Sequence, residues 1–259
     1  MDVTTTTAGL AMASAALVGG LLALFDGGGS VLATPLLLYV VGVRDPHVVI
    51  GTSTAAVAFN AASNLLGHWR GGRVKWPCAS VFAAAGLIGS LLGSSLAKQV
   101  DGNRLLLCFA FAMAGIAVSM LRRPRSEGDP DIHITWPLAA RLAPIGVVTG
   151  FAAGFFGIGG GFLIVPGLMF ATGMTLSNAA ASSLVSVAIF GAATSFNYAI
   201  SGLVDWPVAG LFIVGGVVGG ILGLRGAQAL AVRAVLARRL FAGLILVVAA
   251  YVAWRAVDR

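Results

Sequence analysis

Eight long apolar runs leave this chain of 259 residues few possible folds. A helix needs about 20 apolar residues to cross the roughly 30 Å hydrocarbon core of a bilayer. Inside lipid every backbone N–H and C=O must be paired within the chain, which a helix achieves for each run by itself. The runs are 8–25, 46–69, 76–97, 104–121, 139–157, 177–200, 206–224 and 236–255. The sequence therefore predicts an all-α polytopic membrane protein.

The composition argues against a soluble or nucleic-acid-binding protein. Charged residues make up 10% of the chain, against roughly 25% in ordinary soluble domains. The formal net charge is +7, but the cations stand in short loops between apolar runs and do not line one amphipathic face. We expect the lipid bilayer as the environment of this chain and no nucleic-acid partner.

The chain contains two copies of one sequence pattern. Residues 51–97 and 181–227 share 15 identities in 47 positions at an offset of 130, including a Gly-x-Val-x-Trp-Pro loop. Before them, FDGGGSVLATPLL from Phe25 aligns with FGIGGGFLIVPGL from Phe156 at an offset of 131. Each glycine cluster precedes a short apolar segment, 31–43 or 162–174. The chain is a tandem repeat.

The two copies are predicted to cross the membrane in opposite directions. The loop 70–76 carries three cations, whereas its counterpart 200–206 carries no cation and one Asp. Cytoplasmic loops are enriched in Lys and Arg, so the two loops should face opposite sides, with both chain termini external. The predicted fold is a pair of inverted-topology repeats, each with full transmembrane helices and a short glycine-interrupted helix, discontinuous or re-entrant. Its parts are an N-terminal transmembrane repeat (1–121), a polar cytoplasmic linker (122–138) and a C-terminal transmembrane repeat (139–259).

The two glycine clusters are predicted to form a substrate site. Phe162 stands where a dinucleotide-binding loop needs its third glycine, and no acidic residue follows in 163–201. Paired glycine-interrupted segments in inverted repeats are instead the best sequence pointer to the binding site of a transporter. The half-helix that follows each turn presents free N–H groups and a positive dipole end, which favour an anion. The alternative is that the glycines only permit close helix packing. The predicted site residues here are Gly27, Gly28, Gly29, Ser30, Gly159, Gly160, Gly161 and Phe162.

Polar residues inside the apolar runs extend the predicted site. Two aligned pairs of hydroxyl residues stand near the starts of equivalent runs, and a further amide and hydroxyl follow them. Hydroxyl groups donate hydrogen bonds to an oxyanion without imposing a full charge. The alternative is that they bond to their own helix or join neighbouring helices. The residues assigned to the site are Thr52, Ser53, Asn60, Ser182, Ser183 and Ser186.

With these motifs the chain resembles the TauE/SafE family of bacterial permeases, also called sulfite exporters. The resemblance lies in the paired GGG-x(5)-P segments, the GTS and ASS triplets that follow, and the G-x-V-x-W loops, and it covers nearly the whole chain. It implies a permease for small sulfur-containing anions, such as sulfite or organosulfonates, in the bacterial inner membrane. The first copy departs from the pattern, because Asp26-Gly27 stands where the second copy has Gly157-Ile158.

Asp26 is the acidic residue that the sequence places at membrane depth. A carboxylate there costs roughly 2.5–3.5 kcal/mol on insertion scales, so such residues are usually functional. A bound substrate anion favours the protonated acid, which makes Asp26 a candidate for proton coupling. The alternative is that Asp26 caps the half-helix that follows it.

Other functions make different demands on the sequence. A membrane-embedded enzyme would need paired intramembrane acids or a motif such as H-E-x-x-H, and neither occurs. Cys78 and Cys108 lie in apolar runs without nearby His or Cys, so we expect no metal site, and no cofactor is expected. An anion channel, or a transporter of another small organic anion or of a cation, remains the alternative.

Overall fold

Helices account for almost all the regular structure of the protein. The computed structural model describes residues 5–24, 28–70, 72–121, 128–129, 132, 134–157, 161–230 and 234–258. In these ranges the only β-type backbone pairing is one isolated bridge between Asp129 and Met174. The α-helices are α1 (Thr5–Leu24), α2 (Ala33–Leu36), α3 (Pro46–Arg70), α4 (Trp76–Ala97), α5 (Gly102–Leu121), α6 (Trp136–Phe156), α7 (Gly161–Thr172), α8 (Leu176–Ile200), α9 (Trp206–Leu230) and α10 (Ala234–Val257). The predicted all-helical class is confirmed.

Seven of these helices are long and apolar enough to cross a bilayer. They are α1, α3, α4, α6, α8, α9 and α10, with apolar stretches of 18 to 25 residues. The stretch in α5, Gly102–Val118, is shorter, so the predicted run 104–121 is a helix with less apolar length than the others. The predicted multi-pass membrane protein is thereby supported by length and composition.

Both glycine clusters coincide with breaks between helices. After α1 the chain resumes as a 3₁₀ turn (Gly28–Leu32), followed by α2 and a π-helical turn (Leu37–Val41). We call this stretch, 28–41, the first short segment. In the second half α6 ends at Gly157, whose φ of 63° is left-handed and suits glycine. The chain resumes as the short helix α7. In each half a long helix therefore ends before the glycine cluster and a short helical segment begins within it.

Helix contacts follow one scheme in both halves. In chain order, α1, the first short segment, α3, α4 and α5 correspond to α6, α7, α8, α9 and α10. Helix α1 packs on α9, and correspondingly α6 packs on α4. Likewise α3 packs on α9 and α8 on α4, while α3 contacts α8 and α5 contacts α10. Exchanging the two halves therefore leaves the list of major helix contacts unchanged.

The central helices α3 and α8 run antiparallel. The backbone N–H of Lys75, just beyond the end of α3, donates to Ser182 Oγ in the second turn of α8 at 2.9 Å. Correspondingly, the N–H of Asp205, just beyond the end of α8, donates to Thr52 Oγ1 in the second turn of α3 at 2.9 Å. The loops 72–75 and 201–205 therefore lie at opposite ends of this helix pair, which is about 37 Å long at 1.5 Å per residue.

Glycine faces allow α1 to approach α9, and α4 to approach α6, until backbones touch. A Cβ on Gly150 would collide with the backbone of Gly86, and one on Gly19 would collide with the backbone of Gly216. These two pairs are equivalent in the repeat, so both interfaces use the same device. Small residues drive helix association in lipid by permitting such close van der Waals packing. The α1–α9 and α4–α6 interfaces each join a helix of the first half to a helix of the second half.

Candidate functional site

Four of the predicted site residues lie outside the described part of the chain: Asp26, Gly27, Gly159 and Gly160. Of the remaining glycine-cluster residues, Gly28 begins the first short segment, while Gly161 and Phe162 are the first two residues of α7. The 3₁₀ turn at 28–32 contacts α7. The breaks in the two halves thus bring their following short helices together.

Gly29 and Ser30 are buried where the first short segment folds back on α1. A Cβ added at Gly29 would collide with the α1 backbone at Leu22, Leu21 and Val18. Gly29 is therefore required for this close approach, whatever further role it has. The packing interpretation of the glycine cluster is thus satisfied at this position.

The hydroxyls of Thr52 and Ser182 hold loops of the opposite half. Each accepts the N–H bond described above, from Asp205 and Lys75 respectively. The first N–H groups of a helix have no partner within that helix, and Lys75 is the N-cap residue of α4. Both hydroxyls are fully buried and help to fix the starts of α4 and α9.

Ser53 and Ser183 also occupy equivalent environments. Ser53 Oγ donates to the Ile50 carbonyl at 3.1 Å and lies 3.4 Å from Thr34 Oγ1, on the first short segment. Ser183 Oγ donates to the Ala180 carbonyl at 2.7 Å. Such bonds to the preceding turn are the ordinary way to satisfy a helical serine.

Asn60 and Ser186 retain unpaired polar atoms in the interior. Ser186 is fully buried, and its Oγ has no hydrogen-bond partner in the described structure. Asn60 is 3% exposed, and its Oδ1 likewise lacks a partner. A buried polar atom without a partner costs about 1–3 kcal/mol, so each is a candidate for contact with a ligand or water.

Asn60 lies on the polar wall of a cavity between α3 and α9 whose other lining residues are mostly apolar. The cavity has a volume of about 270 Å³ and reaches Ala23 near the end of α1. Four further polar side chains contribute to its wall: Ser63, Asn64, His68 and Arg73. On the opposite wall Gly216 and Gly220 of α9 leave room for the Asn60 and Asn64 amides.

The polar wall follows helical periodicity. Asn60, Asn64 and His68 are spaced four residues apart and share one face of α3. Arg73 extends this line into the loop beyond the helix end. Among the described lining residues there is one full positive charge and no carboxylate. An anion thus meets a cation at one end of the stripe and neutral donors along it.

The space equivalent to this cavity in the second half is filled. Asn60 and His68 align with Phe190 and Tyr198, both fully buried. The Phe190 ring stacks on Phe82 with centroids 6.4 Å apart and covers the face of Gly86. The two halves share a helix scheme, but Asn60 lines a cavity in the first half where Phe190 fills the equivalent space in the second.

Three of the cavity residues, Asn64, His68 and Arg73, were not among the predicted site residues. The four-residue spacing of Asn64 and His68 from Asn60 is the sequence signal that identifies these two, whereas Arg73 stands outside that spacing. Alignment between the halves favours the hydroxyl pairs Thr52/Ser182 and Ser53/Ser183 instead.

The chain matches the family model described as sulfite exporter TauE/SafE over residues 11–252. It belongs to the TauE/SafE family. This TauE/SafE protein is 49% identical over 243 residues to a probable membrane transporter protein of Xylella fastidiosa (strain 9a5c), covering 93% of both chains. It is 27% identical over 227 residues to the probable membrane transporter protein YunE of Bacillus subtilis (strain 168), covering 80% of this chain and 82% of that one.

No solved structure matches the TauE/SafE protein. Its family and its relatives are transporters, which agrees with the apolar helices that dominate its fold. The predicted family is therefore confirmed, and the protein is a membrane transporter of that family.

Proposed function

We propose that this TauE/SafE protein carries small sulfur-containing anions, such as sulfite or organosulfonates, across the bacterial inner membrane. The observation that carries the proposal is the cavity beside α3, where polar groups lead from Arg73 to the buried Asn60. Arg73 is exposed at the loop end of the cavity, and a cation at the mouth of a cleft raises the local concentration of anions over that of cations. The description of the matching family model, sulfite exporter, supports the same class of substrate.

The size of the cavity favours a compact substrate. Its volume is about 270 Å³. Pockets for drug-sized ligands begin near 300 Å³. A small oxyanion with part of its hydration shell suits this space better than a large organic anion.

The glycine breaks remain part of the proposed site. Each is followed by a short helix, and free N–H groups at such a start favour an anion. The contact between α7 and the 3₁₀ turn at 28–32 supports a shared position for the two starts. The proposed substrate therefore lies between the breaks and the stripe of polar residues on α3.

The two repeats are proposed to be inverted, with loop 71–75 cytoplasmic and both termini external. The antiparallel course of α3 and α8 supports the inversion, because equivalent loops lie at opposite ends of the pair. The cations of loop 70–76 support the orientation.

A carrier is favoured over a channel. A channel needs a continuous path, whereas aromatic side chains fill the counterpart of the cavity in the second half. Exchange of one anion for another across the membrane is the behaviour that distinguishes a carrier.

Counterflow of labelled sulfite in proteoliposomes tests the proposal. The wild-type protein should accumulate label against preloaded sulfite, with methanesulfonate competing and sodium or potassium ions failing to replace it. Replacing Asn60 or Asn64 by Leu should lower the rate about 10- to 100-fold, the effect of losing one hydrogen bond to a charged group.

Asn103→Leu is the matched control, because it removes an amide from the start of α5, away from the cavity. It should retain wild-type flux. Unchanged flux in both Asn60→Leu and Asn64→Leu would remove the cavity from the transport route. Absence of counterflow with sulfite and sulfonates in the wild type would refute the substrate class.

Proton coupling through Asp26 is a further part of the proposal. Asp26→Asn keeps the shape and capping capacity of the side chain but has no proton to release. The variant should still exchange anions at constant pH and lose accumulation driven by a pH gradient. Persistence of wild-type pH-driven accumulation in proteoliposomes would leave Asp26 as a helix cap.

A further inference from the structure

A cluster of polar side chains joins the ends of α4 and α8. The Lys98 ammonium donates to the Asn197 carbonyl at 3.1 Å, to Asn197 Oδ1 at 2.9 Å and to Ser201 Oγ at 2.9 Å. The Asn197 amide donates in turn to Ser94 Oγ at 2.7 Å and Ser95 Oγ at 2.9 Å. We call these five residues the α4–α8 clasp.

If the two halves were exchanged, the mouth of the α3–α9 cavity would lie at the position of the clasp. That exchange carries α3 onto α8 and α9 onto α4, so the α4–α8 interface is the counterpart of the α3–α9 interface. The residue aligned with Asn197 is Gly67, which lines the cavity. The residue aligned with Ser94 is Leu224. The first half therefore lacks the groups needed to form the same clasp.

Within the described structure Lys98 bonds to neutral oxygens alone. Its ammonium also lies 6.0 Å from the centroid of the Tyr198 ring. Pairing the ammonium with an anionic oxygen adds a Coulomb attraction between two full charges, which neutral carbonyl and hydroxyl partners do not supply. An oxyanion that reached Lys98 would therefore displace its present partners.

We propose that the α4–α8 clasp is the closed mouth of the transport route on the side of loop 201–205, and that Lys98 binds the anion when this mouth opens. The inference rests on the proposed anion transport. Related halves permit a second arrangement in which α4 and α8 separate and the α3–α9 cavity closes. In that arrangement Lys98 exchanges its three neutral partners for the substrate.

The reactivity of a cysteine introduced at position 194 measures how often the α4–α8 clasp opens. Thr194 is aligned with Asn64 and is 1% exposed on α8. In a protein with Cys78→Ala and Cys108→Ala, the Thr194→Cys variant should react slowly with a membrane-impermeant maleimide. Adding Lys98→Met should raise the labelling rate at least about tenfold, because it removes three charge-assisted hydrogen bonds and the loss of one alone is worth about a factor of ten. Lys98→Arg should keep the slow rate.

Asn197→Ala is a second, independent way to open the clasp. It removes the hydrogen bonds of the Asn197 side chain on α8 and leaves Lys98 in place. Labelling at position 194 should again rise about tenfold. Methanesulfonate, which does not react with maleimides, should then slow labelling in Asn197→Ala and leave it unchanged in Lys98→Met. Chloride at equal ionic strength is the control for screening.

Arg104→Met is the matched variant for loss of charge, since it removes a cation at the same end of the molecule. It should leave position 194 slow to label. Slow labelling in both Lys98→Met and Asn197→Ala would contradict the proposal that the clasp closes this mouth. Equal protection by methanesulfonate in the two variants would contradict the proposal that Lys98 binds the anion. These labelling results do not depend on sulfite being carried, so a failure of wild-type counterflow would separately refute the proposed substrate.

Discussion

At the scale of single residues, Thr52 and Ser182 show how repeat symmetry serves stability. Each hydroxyl binds a backbone N–H of the other half, at the loop where α9 or α4 begins. Sequence alignment made these residues candidates for an anion site, and the assignment to substrate remains a prediction. Their hydrogen bonds already explain why both positions carry a buried hydroxyl.

Loss of either hydroxyl should destabilise the protein. Thr52→Val and Ser182→Ala each leave a loop N–H without its partner, at an expected cost of about 0.6–1.7 kcal/mol in the free energy of unfolding. Ser183→Ala should cost less, because its hydroxyl only bonds back to the Ala180 carbonyl of its own helix. Unfolding in mixed detergent micelles measures the difference. Equal losses in Ser182→Ala and Ser183→Ala would contradict the role of the loop bond.

At the scale of helices, the α1–α9 and α4–α6 interfaces depend on backbone contact. Gly86, Gly150 and Gly154 bring α4 and α6 together, and Gly19, Gly219 and Gly223 do the same for α1 and α9. Neither backbone can yield locally without moving a whole helix. These interfaces therefore tolerate side chains far less than the lipid-facing surfaces do.

Gly150→Val should force α6 away from α4. Its Cβ would meet backbone atoms of Gly86, and overpacking of this kind costs 1–3 kcal/mol or more, so we expect a loss of at least about 2 kcal/mol in the free energy of unfolding. Gly210→Val on α9 is the control, since a Cβ there meets nothing within 4 Å. It should change the free energy by less than about 0.5 kcal/mol. Similar losses in both variants would show that helix propensity, and not contact, decides the effect.

At the scale of the whole molecule, two related halves differ in one respect that matters for transport. The same helix scheme encloses a polar cavity at α3–α9 and a filled, clasped interface at α4–α8. The two interfaces therefore differ in this structure although the helix scheme around them is the same.

The proposed orientation is tested by labelling an aligned pair. Trp76 and Trp206 are exposed at the starts of α4 and α9. Without the native cysteines, Trp206→Cys should react with an impermeant maleimide in intact cells, and Trp76→Cys only after permeabilisation. Labelling of both variants in intact cells would refute the inverted arrangement.

The sequence by itself determined the helices, their breaks and their repetition, because these depend on local chemistry. The length of each apolar run predicts a helix, and the glycine clusters between consecutive runs predict where one helix ends and a shorter one begins. The alignment of the Trp-Pro loops predicts the starts of α4 and α9, which the structure confirms.

Only the tertiary structure decided which helices meet and where space remains. Asn60 appears in the sequence as one polar residue within an apolar run, and nothing local indicates that Gly216 of α9 lies opposite it. The cavity exists because that glycine face leaves room beside the α3 stripe, while Phe190 fills the equivalent room on α8. Packing between distant segments depends on the shapes of both partners at once, and no single run of sequence contains that information.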